Sequence, residues 1–176
     1  MAINNVFKYR MDGGIAGAVN RMHPADIAAQ LLDTTNPATL YGQAMTIDAT
    51  SKGVRRFIAG DTGVTKIYAL AARPFPASQM QASSDFAPAA FGNATPPATG
   101  VIDVLRAGYM TIQLPSGQTC NKGDAVYVWC AASSGVHVQG GIESGATGGS
   151  TAAVTNAIFN GTPDANGNVE IEIWKL

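Results

Sequence analysis

From Leu40 onward the apolar positions recur with a period of two. Tyr41-Gly42-Gln43-Ala44-Met45-Thr46-Ile47, Val54-Arg55-Arg56-Phe57-Ile58 and Thr65-Lys66-Ile67-Tyr68-Ala69-Leu70 alternate in this way, and turn-forming residues at 48–53 and 60–63 separate them. Such runs predict short antiparallel strands. The third ends at Arg73-Pro74-Phe75-Pro76, where two prolines break the ladder. A long exposed loop is expected over 77–100, an Ala/Pro/Ser-rich stretch with Asp85 as its only charge. Beyond it, Val101-Ile102-Asp103-Val104-Leu105 and Tyr109-Met110-Thr111-Ile112-Gln113-Leu114 flank Arg106-Ala107-Gly108, which reads as a tight hairpin reversal. Met110, Ile112 and Leu114 then face inward. In Ala125-Val126-Tyr127-Val128-Trp129-Cys130 both faces are apolar, so the strand is central or covered by a neighbouring subunit. Strands are also expected at Val136-His137-Val138, 151–159 and 169–174, the last with Val169, Ile171 and Ile173 inward. Nine or ten short strands predict an all-β fold, an antiparallel β-barrel or sandwich.

The first 38 residues do not share this grammar. Asp12-Gly13-Gly14, Gly17, Asn20, Pro24 and Asn36-Pro37 punctuate them every few positions. One short helix fits at 24–32, with Pro24 in its first turn and Ile27/Leu31 and Ala28/Leu32 four apart. An extended arm lying on another subunit fits equally. The expected organisation is an N-terminal arm, 1–38, and a β-barrel or sandwich body, 39–176.

Composition narrows the function more than the fold. Eleven Lys+Arg against twelve Asp+Glu leave a net charge of −1, so no global field draws in a phosphate backbone, and no nucleic-acid partner is expected. The first ten residues lack an apolar stretch of secretory length, and no run approaches a membrane span, so no membrane partner is expected. Cys120 and Cys130 read as thiols packed as small hydrophobes. With His23 and His137 they match no zinc spacing, and no metal or other cofactor is expected. Asp164-Ala165-Asn166-Gly167 is a turn: Thr162 and Ile173 stand where a calcium loop needs carboxylates. No Gly-x-Ser-x-Gly elbow or phosphate loop occurs, so no enzyme is expected and no catalytic residue is assigned. Arg73 and Phe75 read as interface or rim residues.

Three features together resemble the small cement (decoration) proteins of tailed-bacteriophage capsids. These are the approach to a Tyr-Gly strand, Pro37-Ala38-Thr39-Leu40-Tyr41-Gly42; the strand running into Arg73-Pro74-Phe75-Pro76; and the ending from Asn160-Gly161-Thr162-Pro163-Asp164 through Val169-Glu170-Ile171 to Trp174. The resemblance implies a virion protein on the outer surface of the capsid, assembled in the bacterial host cytoplasm. It would bridge neighbouring major capsid protein subunits and pair with itself as a homodimer or homotrimer. On that reading Phe7, Tyr9, Ile27 and Leu31 are the arm's apolar contacts, and Arg10 and Arg21 pair with shell carboxylates. The alternative is a β-sandwich recognition module on the virion surface, a head fibre or carbohydrate-binding domain using Tyr127, Trp129 and Trp174.

Overall fold

The computed structural model describes residues 14–58, 60–61, 66–74, 95–174 and 176, without the side chains of 22–24. Among them every regular element is a strand: β1 (Val19–Leu31), β2 (Ala44–Ile47), β3 (Val54–Arg56), β4 (Ala69–Ala71), β5 (Val101–Gln113), β6 (Ala125–Trp129), β7 (Ile142–Glu143), β8 (Thr151–Phe159) and β9 (Asn168–Ile173). They form one antiparallel sheet in the order β3-β2-β4-β5-β9-β8-β6-β7, with β1 added on β5. The sheet curls into a half-barrel. Its two ends approach where the Ala44 amide donates to the Gly140 carbonyl at 2.7 Å. The expected all-β class stands, and the 77–94 part of the long loop lies outside the described residues.

The segment that offered a helix at 24–32 is instead part of β1, which pairs with β5 from Val19↔Met110 to Leu31↔Val101. A helix that short is marginal by itself, whereas a ladder to a waiting strand satisfies the backbone at once. Leu32 and Ala38, which follow, are both buried.

The expected hairpin at 106–108 is also absent. Residues 101–113 form one continuous strand. Ile27 pairs with Leu105 and Asp26 with Ala107, which leaves Arg106 as an extra residue in a β-bulge. Gly108, at φ 129°, supplies the turn-like chemistry that suggested a reversal. The bulge changes which way the strand faces. Ile102 and Val104 enter a smaller core with Leu32, Met45, Val54, Ala69 and Ala71. Met110, Ile112 and Leu114, also at even positions, enter the larger core with Phe57, Val128, Phe159 and Ile171. Were the same residues a regular ladder without the bulge, all five would share one face. Thus β5 serves two cores, flanked by β1 and β4 at Leu105 and by β1 and β9 at Met110.

On β6 and β9 the inward positions are those expected, whereas Ala44 to Thr46 and Ala69 to Ala71 are buried on both faces. Val169, Ile171 and Ile173 are buried, as are Val126, Val128 and Cys130. Both cysteines are free and buried. Val136-His137-Val138 is a turn, closed by a bridge between Ser134 and His137.

A carboxylate fixes the smaller core's rim. Asp33 Oδ1 accepts the Thr35 and Asn36 amides at 2.9 Å, and Ser51 Oγ donates to Oδ2 at 2.8 Å. The Ser51 hydroxyl first, then the Asn36 amide, hold this carboxyl below the ordinary aspartate value of 3.8. A group depressed in the folded state contributes stability that is present above its unfolded pKa and is lost as pH falls through the folded one. Between about pH 5 and 2, therefore, the melting temperature is expected to fall more steeply in the wild type than in Asp33→Asn. Parallel curves from the two proteins in a thermal scan would contradict this role for Asp33.

Candidate functional site

The residues singled out as contacts fall into three groups. Phe7, Tyr9, Arg10 and Phe75 lie outside the described residues. Arg21, Ile27 and Leu31 lie on β1, and Arg73 follows β4.

On β1 the cation is engaged within the protein. The Arg21 guanidinium carbon stands 4.0 Å over the Tyr109 ring, and its Nη2 is 3.1 Å from Glu170 Oε1. Asn20 Nδ2 donates to the other oxygen of Glu170 at 2.8 Å. The free carboxylate partner expected for Arg21 in a shell protein is thus supplied by β9. The hydrophobic positions are available, however. Leu31 is 63% exposed, its register partner Val101 59%, and Ile27 is exposed on the same strand. Among the described residues β1 pairs as a ladder only with β5, so its outer edge carries backbone groups without strand partners.

Arg73 sits apart from β1's apolar pair, under the chain that precedes β1. Its amide donates to the Gly17 carbonyl at 2.7 Å and its Nε to the Ala16 carbonyl at 3.2 Å. Its guanidinium carbon lies 4.7 Å over the Tyr41 ring. Gly17 makes this approach possible: its φ is +81°, and a Cβ there would meet the Tyr41 Cβ at 2.3 Å. A pocket of about 230 Å³ opens beside these groups, with Gln43, Ile112 and Ile142 in its wall.

One polar cluster gave no signal in the sequence. Glu143, 1% exposed, has His137 Nδ1 at 2.9 Å from Oε1 and accepts from Gln118 Nε2. The His137 ring stacks on Trp129 at 4.2 Å. Its members lie 6 and 25 residues from Glu143, at no spacing that a motif would mark. Ser133 Oγ, in the same turn, accepts the Gln139 amide, and the His–Glu pair ties this turn to β7. Trp129 is buried and its Nε1 donates to the Ala132 carbonyl at 3.0 Å. It therefore does not share an open face with Trp174, which is exposed.

Residues 3–173 match the family model of the XM1 gp53 minor capsid protein. The chain belongs to this family. A solved structure described as the capsid of Myoviridae phage XM1 contains a similar chain, at a TM-score of 0.67 and 19% identity, with 99% of each chain covered. At that identity the likeness speaks for the fold. No curated protein matches. The resemblance drawn from the three sequence features is met at the level of a phage capsid-associated family. Membership in the gp53 minor capsid family gives the chain a structural role in a phage capsid, and among the described residues no group of three or more His, Cys, Asp or Glu is placed to hold a metal ion.

Proposed function

We propose that this gp53-family protein cements the assembled phage head, binding its outer surface and bridging neighbouring major capsid subunits through β1. The observation that carries the reading is the open edge of β1 with Ile27, Leu31 and Val101 exposed beside it. An edge strand with an apolar flank gains both ladder hydrogen bonds and burial when another chain lies along it. In this reading residues 1–38 form the shell-binding arm, β1 is its anchored part, and Phe7, Tyr9, Arg10 and Phe75 add contacts from outside the described residues. A protein that binds the shell and not its dissociated subunits stabilises the shell by mass action, and many copies multiply a small increment. Self-association as a dimer or trimer belongs to the same reading, as does assembly in the host cytoplasm without nucleic acid or membrane as a partner.

The test is a pull-down on capsids that lack the protein. Leu31→Asp puts a charge into the proposed contact and is expected to weaken binding about tenfold or more, equivalent to about 1.4 kcal/mol. Its melting temperature stays near that of the wild type, because the position is on the surface. Capsids re-loaded with the wild type resist heating better than bare ones. Undiminished binding of Leu31→Asp, or equal heat resistance of bare and loaded capsids, would remove the support for cementing through β1.

A further inference from the structure

The pocket beside Arg73 lies at the seam where the two ends of the curled sheet approach, between 39–43 and 141–142. Its polar inventory is unbalanced. Arg73 Nη1 and the Tyr41 hydroxyl are buried and have no hydrogen-bond partner among the described residues. Both residues line the same space, and Tyr41 is only 6% exposed. A buried donor without an acceptor is costly, and native proteins keep few. Gln43, by contrast, is engaged at both ends: its Oε1 accepts the Thr39 amide at 2.8 Å and its Nε2 donates to the Gln139 carbonyl. It is therefore wall, not ligand.

The charge is unbalanced too. Arg21, Arg55 and Arg106 each stand within ion-pair distance of a carboxylate, on Glu170, Asp61 and Asp26. No Asp or Glu lines the pocket that holds Arg73. Burial, with a smaller push from the charge of Asp103, moves the Tyr41 phenol up, and burial pulls the Arg73 guanidinium down; each offsets the other only in part. The fork is anchored along one edge. The Ala16 carbonyl on Nε and the Tyr41 ring under the guanidinium set its plane, and an incoming oxygen reaches Nη1 and the phenol after a small side-chain shift.

We propose that this pocket is a carboxylate-binding socket, filled in the assembled capsid by an acidic side chain or a chain terminus of a neighbouring protein. A carboxylate brings two acceptor oxygens on one small planar group, which suits an Nη1–H and a phenolic O–H that both lack an acceptor. Its single negative charge matches the single cation. A phosphate dianion would be under-compensated there, and a neutral amide would leave the charge unpaired. Ile112 and Ile142 supply apolar wall for the aliphatic part of such a ligand. The neighbour's presence in the capsid rests on the cementing reading, but the socket's chemistry does not.

The test therefore uses the isolated full chain. Blocked glutamate, with only its side-chain carboxylate free, and N-acetyl-leucine, with only its α-carboxylate free, are titrated while NMR follows the Arg73 Nε–H and the Tyr41 ring. Blocked glutamine and inorganic phosphate serve as comparisons. Saturable shifts with a carboxylate, absent with blocked glutamine and weaker with phosphate, are the expected result. The tighter of the two carboxylates identifies a side chain or a terminus as the source. Tyr41→Phe is expected to weaken carboxylate binding severalfold and yet to melt higher than the wild type by a few degrees, because it removes an orphaned donor. Arg73→Lys keeps the charge but loses the fork, and binding falls further. No saturable shift with either carboxylate, tighter binding of phosphate, or a Tyr41→Phe protein that melts lower and binds as well as the wild type would each overturn the socket. Such a failure leaves capsid binding through Leu31 untouched, so the two proposals fall separately.

Discussion

Inserting one alanine after Arg106 is expected to leave a chain that does not reach the native sheet, whereas Arg106→Ala lowers stability by only about 1 kcal/mol. The contrast comes from geometry. As a side chain, Arg106 offers a partly exposed ion pair to Asp26 at 3.8 Å and a place over the Tyr68 ring at 5.3 Å, both modest. As a backbone unit it is the extra residue that lets Ile102 and Val104 point to one core and Met110 and Ile112 to the other. Side chains alternate with a strict period of two and the bulge already absorbs one extra residue, so a second turns one half of β5 inside out. Either the smaller core loses its two β5 residues or the larger one loses Met110, Ile112 and Leu114. Circular dichroism and amide-proton dispersion on the insertion variant would show this, and a native-like spectrum would mean that β5 is not phased by its bulge.

The second large effect is expected at Phe159. It is fully buried at the end of β8, opposite Ile171 of β9, and its amide and carbonyl are bonded to Asp124 and Gly123. Phe159→Ala removes the ring from the larger core and leaves the backbone pinned around the space. The neighbouring strands cannot collapse into it, so a loss of about 3–5 kcal/mol is expected. For a chain of this size that lowers the melting temperature by roughly 6–20 °C. Thr155→Ala, exposed on the same strand, should stay within about 0.5 kcal/mol of the wild type. Similar melting temperatures for the two variants would count against Phe159 as a centre of the core.

How far these features were legible in the sequence depends on how local their causes are. The alternation at Val169-Glu170-Ile171-Glu172-Ile173 was readable because one residue in two meets the core whatever the partner strand is. The bulge was not. Arg106-Ala107-Gly108 carries turn chemistry, and only the pairing with β1, some eighty residues upstream, shows that the chain runs straight on. Residues 24–32 failed for a related reason, since apolar residues four apart fit a helix, and the β5 ladder that overrides it is not written nearby. The candidate contacts divide in the same way. Leu31 and Ile27 were found as apolar residues in an anomalous segment. Arg21 was found as a cation, but Glu170, which engages it, lies 149 residues away. Arg73 stood out through its Arg-Pro-Phe-Pro context, while its companions Tyr41 and Gly17 became visible only when the fold placed them together.

The placing of β1 and β5 also has a temporal meaning. Residues 19–31 leave the ribosome some eighty residues before 101–113, so at about 5–20 residues per second the first strand waits roughly 4–16 s for its mate. Throughout that interval an apolar ribbon is without its template. Pro24 lies between Arg21 and Asp26, where the ladder to β5 slips register, and a proline that withholds an amide makes such a ribbon a poorer template for its copies on neighbouring polysomes. The interruption that looked like the start of a helix thus lowers the tendency to strand-to-strand aggregation during synthesis.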